Sequence, residues 1–262
     1  MVSDNALYML SIWQVCFIFF IGILFFAYLG YRTESRILNK DKDGNGFEPA
    51  KTGLITLLSL LIGFTFSMSG QRYQSYKNSM INEVNCINAA AIKSDLYPEP
   101  YRSEFLKYFS EYTESRINFF DAGTNLEKLN DSKRISSYAA KKIWGLSSRL
   151  INDPQMGIIS RLMIPSLTEM FDAAKTRESI LRSKVPIWIL LLLVIITYLT
   201  VYITGYGCNS LRKKEIIFIL SFAVSITLVI FVILDLDRPD SGLIKPTVEQ
   251  EAMLELRNIF VK

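Results

Sequence analysis

The sequence predicts an all-α membrane protein with four spans and a helical domain inserted between spans two and three. Three observations carry that expectation. Four apolar runs contain no charged residue, and each is close to the ~20 residues needed to cross a hydrocarbon core. Half of the 262 residues are hydrophobic, only 21% are charged, and mean hydropathy is +0.24. That balance departs from both ordinary soluble and disordered chains. Nothing in the segment between spans two and three alternates with period two over a useful length.

The first run is roughly Leu10 to Tyr31. It has no basic segment before it, only Asp4, and is too long for a signal-peptide core, so a retained span is expected. The second, Gly53–Gly70, is the shortest, and Lys51 and Arg72 can snorkel outward at its ends. The third is Pro186–Gly207 and the fourth Ile216–Leu234. Four buried helices in a soluble protein would be the alternative, but so many such runs in one chain disfavour it. The expected divisions are 1–70 for a first transmembrane hairpin, 71–184 for a helical extramembrane domain, 185–235 for a second hairpin and 236–262 for a tail.

Within the inserted domain, Tyr73, Tyr76, Met80, Val84, Ile87 and Ala91 recur at spacings of three and four. They mark one face of a helix running directly out of span two. Pro98 and Pro100 end it. A second helix reads from about Tyr101 to Phe120. A polar loop is expected over Asp121–Asp131. A third helix follows over about Ser132–Ile151 and stops at Asp153-Pro154. A fourth starts near Ile158, meets Pro165 and feeds span three. In the tail, Thr247 and Gln250 have the spacing of a capping box. Val248, Ala252, Leu256 and Ile259 are the expected buried face of that last helix.

The even number of spans places the N-terminus, the inserted domain and the tail on one side of the cell membrane. Short loops set orientation. The first carries Arg32, Arg36, Lys40, Lys42 and Lys51, and the second Arg212, Lys213 and Lys214. Both are therefore expected in the cytoplasm, with the domain and termini outside. Basic residues flanking spans two and three on the domain side argue the other way.

Composition excludes several activities. With no histidine, a Ser-His-Asp or Cys-His centre and imidazole metal sites are ruled out. Three distant cysteines, Cys16, Cys86 and Cys208, leave no zinc-finger spacing. No phosphate-binding glycine motif is present. A formal charge of +4, from 29 basic and 25 acidic side chains, does not suggest a nucleic-acid binder. No span carries a charge near its midpoint, against a proton-relay transporter. No enzyme residues stand out.

Asp41, Asp43, Asn45 and Gly46 match the opening of a calcium loop, but its twelfth position is Thr52 rather than a bidentate Glu. Weak calcium binding or none is expected, and no other cofactor. Span two is more informative. Thr52, Thr56, Ser59, Gly63, Ser67 and Gly70 fall within about 80° of one another at ~100° per residue. Small residues at that spacing let helix backbones pack closely. The same weakly polar stripe at Thr56, Ser59, Gly63 and Ser67 is a candidate lining for a water-filled path. Arg72 and Lys77 stand beyond the span, and Asp235, Asp237 and Arg238 lie where span four leaves the membrane. These five are candidate mouth charges in an oligomer; the plainer reading of the last three is a solvated ion pair.

The sequence resembles the bacterial bestrophin-like membrane domain family. The likeness begins at GFTFSM (Gly63–Met68) and continues through Arg72-Tyr73, EVNCINAA (Glu83–Ala90), DLYPEPYRSEF (Asp95–Phe105) and YTESR (Tyr112–Arg116). It returns at TRESILRSKVPIW (Thr176–Trp188) and DLDRPDSGLI (Asp235–Ile244). The family usually has Phe where this chain has Asp240, and an Ala-Ile-Gly series at Asn85–Asn88. The resemblance implies four spans with a helical insert and a distant likeness to bestrophins, pentameric anion channels whose second span lines the pore. It also implies a cytosolic large domain, opposite to the charge argument. The expected function is a homo-oligomeric, anion-preferring pore for inorganic ions, with span two along the path. The rival is a non-conducting scaffold or sensor whose helical domain binds a partner.

Overall fold

The computed structural model describes residues 11–37, 47–123, 125–207, 213–240 and 242–260. Among them there is no strand, and four helices are long and apolar enough to cross a membrane. The chain forms two compact units, 1–71 with 185–237, and 72–184 with 238–262.

The membrane unit contains α1 (Ile12–Ile37), the first part of α2 (Phe47–Lys93), α6 (Ile187–Tyr206) and α7 (Lys213–Leu236). Its core is aliphatic, with Ile23, Leu193, Ala223 and Ile233 almost wholly enclosed. Apolar burial gives little drive between helices already in lipid, so close backbone approach has to supply the contact. Glycine allows it: a Cβ on Gly205 would collide with the Ala27 carbonyl, and one on Gly30 with that of Tyr202. α1 and α6 therefore cross backbone to backbone. Beside the crossing, Tyr198 stacks against Phe26, ring centres 4.7 Å apart.

The helical unit comprises the rest of α2, α3 (Tyr101–Asp121), α4 (Leu126–Leu150), α5 (Gly157–Arg182) and α8 (Thr247–Glu255). The expected face of α2 is the one buried: Tyr76, Met80, Ile87 and Ala91 are enclosed and Val84 is half-buried. Phe105, Phe109, Ile143, Leu146, Met163 and Leu167 complete the core with Ile87. Pro98 and Pro100 do follow the end of α2, after a single tight turn over Ser94–Leu96.

Three local expectations are corrected. Most of the loop expected over Asp121–Asp131 is helix, because Asn125 caps α4, its side chain accepting from the amides of Glu127 and Lys128. α5 does not run into span three: it ends at Arg182, and Ser183 turns extended before Pro186. The capping box on α8 does not form. Gln250 instead donates to Asp121 at 3.1 Å, and the buried face is Glu249, Met253 and Leu256, leaving Val248 exposed. A tertiary partner for Gln250 outcompetes the local cap; Leu256 and Ile259 do pack on the core as expected, and only the first turn faces Glu249 and Met253 inward in place of Val248 and Ala252.

Candidate functional site

On span two the structure separates two faces. Leu58, Thr65 and Ser69 are buried, and Ile62 packs on the membrane core. Roughly opposite them, Thr56, Ser59, Gly63 and Ser67 are all exposed, and a Cβ built on Gly63 meets nothing within 4 Å. The small residues thus do not serve close packing within the subunit. Their chemistry is uneven. Thr56 and Ser59 donate their hydroxyls to the carbonyls of Thr52 and Ile55, at 2.9 and 2.8 Å, and so present lone pairs outward. Ser67 accepts from the Gln71 side chain at 3.2 Å, which leaves its own proton available to an anion.

The candidate mouth charges are not equivalent. Lys77 is paired with Glu249 at 3.0 Å, so its field is largely answered. Asp235 and Asp237 are buried, at 1% and 4% exposure, and not a solvated surface pair. Asp237 accepts from the Val185 amide at 3.2 Å. Arg72 and Arg238 are half-buried. Burial lowers the Lys184 pKa, and the charges of Arg238 and Arg72 lower it further. These three cations gather in the helical unit. Asp41, Asp43 and Asn45 lie outside the described residues. Among the described residues no cluster of three carboxylate, thiol or imidazole groups is placed to hold a metal.

The most heavily charged buried feature was not legible as a site. Glu83 on α2 is fully enclosed between Arg116 of α3 and Arg177 of α5. Arg116 donates to one Glu83 oxygen through Nε, and Arg177 reaches the other at 2.8 Å. Arg116 also bonds Glu178 at 2.9 Å, which Lys133 approaches at 3.2 Å. Burial alone would raise the Glu83 pKa, but the two guanidinium groups outweigh it and hold the carboxyl below its ordinary range. Phe119 lies under both guanidiniums, 4.8 Å from Arg116 and 5.6 Å from Arg177. One signal existed: Glu83 falls on the apolar face of α2 between Met80 and Ile87, and a carboxylate there requires a partner. Its partners lie 33 and 94 residues away, beyond any local pattern.

Asp240 closes the same region by accepting from the Tyr76 hydroxyl at 2.9 Å. Burial raises its pKa despite the opposing pull of Tyr76, Arg177 and Lys184.

A bestrophin-like domain model matches residues 48–249. No curated protein sequence matches the chain. Among solved structures, the bacterial bestrophin homologue from Klebsiella pneumoniae phased on zinc is 12% identical, with 93% of this chain and 98% of that one covered and a TM-score of 0.67. A point variant of that homologue is also 12% identical, covering 92% and 98%, with a TM-score of 0.70. At this identity the structures show a shared fold. The domain match spans most of the chain, from before span two to the C-terminal helix, and on that ground the chain belongs to the bestrophin-like family.

Proposed function

We propose that this protein is an oligomeric membrane pore, an anion-preferring ion channel with span two along the path. The observation that carries it is the stripe of Thr56, Ser59, Gly63 and Ser67, exposed in the protomer alongside Leu60 and Phe64, on a helix that buries Leu58, Thr65 and Ser69. A single subunit leaves those residues outward, where lipid offers nothing to the Ser67 proton or to the outward lone pairs of Thr56 and Ser59. A closed ring of copies turns them toward water. Arg72 and Arg238, with Lys184 beside them, supply the positive field that attracts anions at one mouth. The paired Lys77 contributes little to that field. Two of the four stripe positions offer lone pairs rather than protons, so selectivity over cations is modest. The purified protein should run as a closed ring in native mass spectrometry. It should also conduct in planar bilayers, with a reversal potential displaced toward that of chloride under a potassium chloride gradient. A particle that is only monomeric, or a silent bilayer, sinks the proposal.

For sidedness, the short-loop charges support a helical domain and termini outside, with Arg32–Thr52 and Cys208–Glu215 in the cytoplasm. Introduced cysteines and a membrane-impermeant thiol reagent on intact cells check it. Asn130→Cys should label and Ser210→Cys should not. The reverse pattern puts the helical domain in the cytoplasm, the side the family resemblance implies.

A further inference from the structure

The helical unit contains an open groove of about 610 Å³ between α4 and α5, floored by α3. We propose that it binds a small organic anion with an aromatic body. Small side chains make the space: Ser136, Ser137 and Ala140 on α4 face Ala174 on α5 across it. Three rings wall one side. Tyr112 and Phe171 have centres 6.3 Å apart, and Phe171 and Trp144 6.4 Å. Trp144 is 41% exposed, an apolar surface larger than its helix needs for packing, and a flat ring seated there would cover it.

The charge of the lining selects the sign of the ligand. Four cations, Arg116, Lys133, Lys141 and Lys175, stand against two carboxylates, Asp172 and Glu178. Arg116 and Lys133 are both committed to Glu178, and Lys175 reaches Asp172 only at 4.0 Å. No lining carboxylate is held by Lys141. Lys141 is left over and the exposed Lys175 holds Asp172 only loosely, so a phosphate, sulfonate or carboxylate answers the excess at these two lysines. The site is distinct from the span-two stripe and stands whether or not the pore reading does.

The probe is phenyl phosphate, titrated calorimetrically into the purified full-length protein in detergent at pH 7.5. Inorganic phosphate supplies the charge without the ring, and benzyl alcohol the ring without the charge. Phenyl phosphate should saturate one site per chain, and each control should bind at least about tenfold more weakly. The exposed pair Lys141→Ala with Lys175→Ala should weaken phenyl phosphate by about tenfold or more. Trp144→Leu should weaken it several-fold. Lys142→Ala, whose ammonium lies over the Tyr138 ring at 5.3 Å and outside the pocket, should leave it within about twofold. Unchanged thermal unfolding certifies each variant as folded. No saturable binding below about 10 mM overturns the proposal, as it would if a second copy covered the groove. Equal affinity for inorganic phosphate, indifference to Trp144→Leu, or an equal loss in Lys142→Ala overturns it as well.

Discussion

Replacing Glu83 by Gln should destabilise the helical unit by about 3–5 kcal/mol, the scale for breaking a buried ion pair from one side. The variant keeps the volume of the side chain and removes only its charge. Arg116 still has Glu178, at 2.9 Å. Arg177 is fully buried and its ion pair is with Glu83, so it bears most of the loss. Adding Arg177→Met should therefore recover part of the loss, because the second change removes the stranded cation. The acid limb gives an independent check. The folded pKa of Glu83 lies below its ordinary value, so its contribution is present above the ordinary carboxylate range. It is lost as pH falls through the lower folded value. The parent should lose stability below about pH 4 more steeply than Glu83→Gln, which has no proton to take up there. Chemical unfolding of both proteins across pH measures this. A variant within about 1 kcal/mol of the parent at neutral pH would mean that the two arginines find other partners.

Ser67→Phe should reduce bilayer conductance by an order of magnitude or more while leaving assembly and thermal stability near those of the parent. Ser67 is exposed in the protomer and lies on the stripe with Gly63, where an added Cβ meets nothing. A ring of phenyl groups turned to a central axis would narrow the path without displacing a packed neighbour. If the stripe instead packs against the next subunit, the same ring is forced between touching helices. It should then cost roughly 1–3 kcal/mol and loosen the particle. Conductance and melting are measured on one preparation. Lost stability, with no conductance in the parent, removes the pore and leaves the scaffold reading.

What the sequence determined by itself was whatever depends on local period and composition. The four spans follow from apolar length. The continuation of span two into the helical domain follows from Tyr76, Met80, Ile87 and Ala91 at helical spacing, since residues three, four and seven apart share one side of a helix over a few turns. The stripe on span two follows by the same arithmetic. Tertiary structure decided what those faces meet. That the stripe is exposed while Leu58 and Thr65 are buried depends on how span two lays Ile62 and Met68 on the membrane core. The helix at Leu126, expected as a loop, was hidden by polar composition until Asn125 was seen to cap it. The missing cap on α8 turned on Gln250 finding Asp121, 129 residues away, in place of its own helix end. The Glu83 cluster was the least legible feature, because Coulomb attraction acts through space. Nothing local in the sequence links α2 to arginines on α3 and α5 until folding encloses all three charges together.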